Sequence, residues 1–129
     1  TLYSSLPIFT QEGVFGGISI MDEFAEEKRT YYRQLSKECV EIINNSKYIC
    51  CHEPESAFYL FIDVRKLNIG SKEFCMRLLN EYDTAVTPGT SFGYEGFIRA
   101  AFCGNIDDVK AGLTQIVAFA ERVGNDKGL

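Results

Sequence analysis

Apolar residues fall at helical spacing in three separate stretches of this chain, with short runs of aromatic and β-branched residues between them. A helical stripe and a strand run each bury one face, so the alternation calls for helices laid on a sheet. In the first stretch Phe24, Tyr31, Leu35, Cys39 and Ile42 step by three, four and seven residues. Asp22 can cap it, and Glu23, Glu26 and Glu27 favour a helix N-terminus, which predicts a long amphipathic helix from Asp22 to about Asn45. Ser71 can cap a second helix with Phe74, Cys75, Leu78, Leu79 and Tyr82 on its buried side, closed by Asp83. Asn105 can cap a third, striped by Val109, Leu113, Ile116, Val117 and Ala120 and stopped at Gly124. Strands are expected at Tyr48 to Cys51, Phe58 to Val64, Thr84 to Thr87 and Phe97 to Cys103, with Pro54 as a break. The simplest architecture is α+β: a two-layer small domain, its mainly antiparallel small sheet covered by a long N-terminal helix and two further helices. Strand order is left open. The first twenty residues are the least readable, since Gly13, Gly16 and Gly17 weaken a helix over Ile8 to Ile20 after an extended lead-in from Thr1 to Pro7.

The 129 residues suffice for one domain, which at this size buries roughly two-thirds of the surface its unfolded chain exposes. Ten Phe and seven Tyr supply much of that core. Eighteen acidic against thirteen basic residues give a net charge of −5, which disfavours a nucleic-acid partner. The longest apolar run, Ala57 to Ile62, is far short of the roughly 18 residues that suggest a membrane-spanning helix. No segment resembles a secretory signal, so a cytoplasmic, membrane-free protein is expected. The chain begins at Thr1 and not at Met, which suggests a piece of a longer polypeptide.

Five cysteines, Cys39, Cys50, Cys51, Cys75 and Cys103, form an odd set with no C-x-x-C spacing, so neither a disulfide framework nor a zinc ribbon is indicated. A reducing compartment fits them. Cys50 and Cys51 should point to opposite sides of a strand as ordinary thiols. His52 is the only histidine, which excludes a histidine-based triad or multi-histidine metal site within this chain.

Arg99 is the anomaly: Phe97-Ile98-Arg99-Ala100-Ala101-Phe102 is apolar at every other position. Alternation puts its guanidinium on the face of Phe97 and Ala101. A charge buried there without a partner is costly. It needs a carboxylate such as Asp63 or Glu95, an escape to the sheet edge, or an anion from outside that suits arginine's planar fork. Just upstream, Thr87-Pro88-Gly89-Thr90-Ser91-Phe92-Gly93-Tyr94-Glu95-Gly96 joins two strands and is rich in glycine and hydroxyls. It has neither the order nor the Gly-Lys-Ser/Thr ending of a phosphate loop.

Pro88-Gly89-Thr90-Ser91-Phe92-Gly93, followed by Phe97-Ile98-Arg99-Ala100-Ala101-Phe102, resembles the C-terminal signature of the fold-type I, class I/II pyridoxal-phosphate aminotransferases. Pro54-Glu55-Ser56-Ala57-Phe58-Tyr59-Leu60-Phe61 resembles the same family's P-x-G-A-F-Y strand, with Ser56 where glycine is usual. The resemblance implies that Arg99 binds the α-carboxylate of the amino-acid substrate. Ser5 to Gln11 resembles the loop and helix start that follow the cofactor lysine. That implies residues 1–21 are left over from the large domain or interdomain connection, and 22–129 are the small domain. The Schiff-base lysine, the aspartate on the cofactor's ring nitrogen and the stacking aromatic would then lie upstream. No catalytic, cofactor-binding or metal residue is expected here, and Lys28, Lys37, Lys47, Lys66, Lys72, Lys110 and Lys127 read as solvated surface charges. The implied parent is a homodimer that uses pyridoxal phosphate to move an amino group from an amino acid to a 2-oxo acid. This part alone would be inactive and bind no cofactor. A competing reading is a non-catalytic α+β module for amino-acid binding or dimerisation.

Overall fold

The computed structural model describes residues 5–129. They form two compact units, one ending at Arg33 and the other Gln34–Leu129. In the first unit lies α1 (Ile8–Ile18), so the glycine-rich stretch is helical after all. Pro7 starts it, its carbonyl accepting the amides of Thr10 and Gln11 at 3.0 and 3.2 Å. None of its residues is buried, and Phe9 is 78% exposed. The lead-in residues Leu2 and Tyr3 lie outside the described residues. Helix α2 (Met21–Asn44) begins one residue before Asp22, which sits inside the first turn with Glu23 instead of capping it. Their charges suit the positive end of the helix dipole there. Phe24 and Tyr31, expected on the buried stripe, are exposed; Leu35, Ser36, Cys39 and Ile43 are the buried residues of α2.

The second unit carries a four-stranded sheet made of β1 (Cys50–Cys51), β2 (Tyr59–Asp63), β3 (Thr87–Pro88) and β4 (Phe97–Ala101). Its order is β1-β2-β4-β3, and each neighbouring pair is antiparallel. The strands are shorter than the apolar runs suggest, because the ladder ends where neighbours stop pairing: only Thr87 and Pro88 of the Thr84 to Thr87 region and its successor reach β4. Alternation divides the sheet cleanly. Leu60, Ile62, Ile98 and Ala100 are buried, while Tyr59, Phe61, Phe97, Arg99 and Ala101 are partly or largely open.

Two helices complete the core, α3 (Ser71–Tyr82) and α4 (Ile106–Asp126). Phe74 of α3 meets Phe119 of α4 edge-on, with ring centroids 4.8 Å apart. Phe119 is fully buried, whereas Val117 of the expected stripe is only partly so. Asn105 caps α4 as expected, its side chain accepting the amides of Asp107 and Asp108. The helix runs past Gly124, which serves as a packing contact: a Cβ there would lie 2.5 Å from the Tyr48 ring. At the end of α2, Asn44 makes a reciprocal pair with the backbone of Cys51, accepting its amide at 2.9 Å and donating to its carbonyl at 3.0 Å. This ties α2 to the sheet edge. Helix α3 ends at Asp83, whose left-handed backbone (φ 50°) closes the last turn. No helix among the described residues is long and apolar enough to cross a membrane.

Candidate functional site

The open face of the sheet is built by the central pair β2 and β4. Antiparallel register sets Arg99 opposite Phe61 on one side and Thr87 on the other. Tyr59, paired with Ala101, is the diagonal neighbour of Arg99, within reach of a long side chain. The Arg99 guanidinium carbon lies 4.4 Å from the centre of the Tyr59 ring and 4.4 Å from that of Phe92. Beside it opens a hollow of about 190 Å³ lined by Tyr59, Ala85, Val86, Thr87, Arg99 and Ala101.

Phe92 reaches Arg99 because the glycine-rich loop curls into a single turn over Gly89–Phe92. The turn is closed by the Tyr94 amide on the Gly89 carbonyl at 3.0 Å. Only glycine fits at its start, since a Cβ on Gly89 would stand 2.2 Å from the Tyr94 carbonyl oxygen and 2.6 Å from that of Phe97. At the loop's end Gly96 takes φ +80°, with the Arg65 side chain packed where a Cβ would go.

Both acids considered as partners for Arg99 are engaged elsewhere. Asp63 accepts from Arg65, at 2.6 Å from Nη2 and 3.0 Å from Nε, and this bond holds its carboxyl below the ordinary value. Glu95 accepts the Ser71 amide at 2.7 Å and the Ser71 hydroxyl at 3.0 Å. It therefore caps α3 from a distance, while Ser71 is the first helical residue and not the cap. Those two bonds hold the Glu95 carboxyl below its ordinary value. Among the described residues no carboxylate pairs with Arg99 and no protein acceptor takes its N–H groups. A half-buried arginine with five free donors is suited to gripping a carboxylate in two places. A larger hollow of about 510 Å³ lies between Asp83–Val86 and the start of α4, but Asp83 and Asp108 on its wall make it a poor host for an anion.

Tyr59 and Phe92 were not singled out by sequence reasoning, although both stand in the motifs quoted above. Finding them needs the β2–β4 register and the turn at Gly89, neither of which periodicity supplies. Beside Ser56, which stands where the resembled motif has glycine, Ala57 takes a left-handed backbone (φ 62°). Cys50 is exposed and Cys51 buried, as alternation predicts, and burial pushes the Cys51 thiol up to about 12, a poor nucleophile. The lysines lie in varied surroundings. Lys28 and Lys110 pair with Glu27 and Glu38, Lys66 and Lys127 reach backbone carbonyls, Lys47 lies over the Tyr48 ring, and Lys37 and Lys72 are exposed.

Comparison with known proteins converges on one group. The family described as aminotransferase class I and II matches residues 3–116. An aspartate aminotransferase of Musicola paradisiaca is 32% identical over 111 residues, covering 84% of this chain and 28% of that protein. Among solved structures, the aspartate aminotransferase of Rhizobium meliloti superposes with a TM-score of 0.71 at 26% identity, over 77% of this chain and 27% of that one. The aromatic aminotransferase of Pyrococcus horikoshii OT3 gives 0.70 at 27% identity, over 82% and 28%. The chain thus spans under a third of the length of each of these relatives.

Proposed function

The chain belongs to the aminotransferase class I and II family, and from that premise we propose that it is the small domain of a pyridoxal-phosphate-dependent enzyme in which Arg99 receives the substrate's α-carboxylate. The observation that carries this reading is the half-buried Arg99 fork, free of any protein acceptor and facing a hollow. Aspartate and aromatic aminotransferases are both among the relatives. The charged groups common to amino acids of those two kinds are the α-amino and α-carboxylate groups, which fits an arginine that reads the common part.

The domain's contribution is to bind and orient. Closure over the substrate excludes water, and a guanidinium–carboxylate pair strengthens as the local dielectric falls. We further propose that the isolated chain is inactive and binds no pyridoxal phosphate. A stoichiometric, borohydride-reducible adduct at one defined lysine of the isolated chain would overturn that. The parent is proposed to be a homodimer acting on an amino acid and a 2-oxo acid in a cytoplasmic setting, in keeping with five unpaired cysteines.

The test is Arg99→Ala in the full-length polypeptide. Stranding a substrate carboxylate in a closed site costs about 3–5 kcal/mol, so kcat/KM should fall by roughly 10²–10⁴ while the fold survives. Arg99→Lys should recover only part, since it keeps the charge and loses the fork. An unstable variant that retains wild-type kcat/KM in its folded fraction would refute the substrate role.

A further inference from the structure

Arginines beside aromatic rings recur in this molecule, and all but one of those described are also held by an acid. Arg65 lies over Phe97 at 5.0 Å and is gripped by Asp63. Arg77 lies over Phe119 at 5.4 Å and bonds Glu81. Arg122 lies near Tyr82 and Phe119 and bonds Glu81 as well. Arg99 alone among them has two rings at 4.4 Å and no carboxylate. The two rings come from different parts of the chain, Tyr59 from β2 and Phe92 from the turn that follows β3.

Resting on the reading that Arg99 receives a carboxylate, we propose that Tyr59 and Phe92 are positioning residues that hold the guanidinium plane ready for that ligand. An acid would hold Arg99 as well, but would occupy the donors the substrate needs. Aromatic faces restrain the plane through the ring quadrupole and leave the N–H edge free. The fork is then ordered before the ligand arrives, which removes part of the ordering cost from binding. The supports differ in kind. Tyr59 is fixed by strand register, whereas Phe92 depends on a turn that only glycine at position 89 allows.

The experiment measures dissociation constants of propionate and 3-phenylpropionate, two monocarboxylates that share the propionate skeleton and differ by one phenyl ring, on the full-length polypeptide. Tyr59→Leu and Phe92→Leu should each weaken both probes by about three- to tenfold, and by the same factor. Tyr59→Phe and Phe92→Tyr should bind as the unaltered protein does, and Arg99→Ala should bind neither probe. Should a leucine variant fail to fold, isoleucine at the same position takes its place. If Arg99→Ala binds normally, the carboxylate reading fails and this inference with it. If Arg99→Ala loses binding while the leucine variants keep it, the positioning role alone is overturned. Weakening confined to 3-phenylpropionate would also overturn it, because the rings would then be touching the ligand's own side chain.

Discussion

Strand β4 presents two faces that obey different rules. Ile98 and Ala100 belong to the buried core, where Ile98 has no exposed surface. One residue away, Phe97 stacks flat on Phe61 at 5.0 Å, and Arg99 stands between two rings with its donors unused. The covered face is finished within this chain. The open face is not: it carries a guanidinium with no protein acceptor, which is the feature that the proposed carboxylate ligand would complete.

The largest expected effect tests the covered side. Ile98→Ala should lower unfolding free energy by about 2–5 kcal/mol, read from urea denaturation, because a buried methyl-rich side chain leaves a cavity behind. Arg99→Ala, its immediate neighbour, should cost less than about 1 kcal/mol, the loss of its ring contacts. Equal losses at the two sites would erase the contrast between the faces.

A smaller effect, of opposite sign, is expected at the loop that leads into the open face. Ala57 holds a left-handed backbone, strained for any residue with a Cβ. Ala57→Gly should therefore stabilise by about 0.5–1 kcal/mol, after allowance for the greater freedom glycine has when unfolded. A lower urea midpoint for this variant would mean that the strain is not located there.

The smallest effect concerns the link between the loop and the helix layer, the Glu95 cap on α3. Its carboxyl is depressed by the Ser71 amide and hydroxyl. The bond's contribution is thus fully present above the unfolded-state value and is lost as pH falls through the lower, folded one. Glu95→Gln should unfold at lower urea than the unaltered chain at neutral pH. The two midpoints should converge as pH drops well below the usual carboxylate range. A gap that stays constant with pH would show that the carboxylate's charge is not what caps the helix.

Much of this was legible in the sequence because it is local. Most of the stripes of α3 and α4, the Asn105 cap and the inside-outside order of β4 follow from spacing, although Leu79, expected on the buried side of α3, is exposed; the anomaly of Arg99 is visible in six consecutive residues. What escaped was non-local. Glu95 looked like a partner for Arg99, but the chain's return past α3 gives it to Ser71, 24 residues away. The rings around Arg99 come from a strand and a turn brought together only by pairing. Phe119 could have been found, since it continues the spacing of Ile116 and Val123. The helix at Ile8–Ile18 was obscured by glycine propensity, a weak prior that context overrides.

The outer strands of the sheet, β1 and β3, have two residues each, and Pro88 in β3 has no amide hydrogen to offer. A strand from another chain needs a run of unpaired backbone groups to lie along, and neither border supplies one. Borders this short, one of them carrying a proline, are poor templates for edge-to-edge growth into a ribbon of copies, whereas the broad open surface offers side chains whose identity can be read.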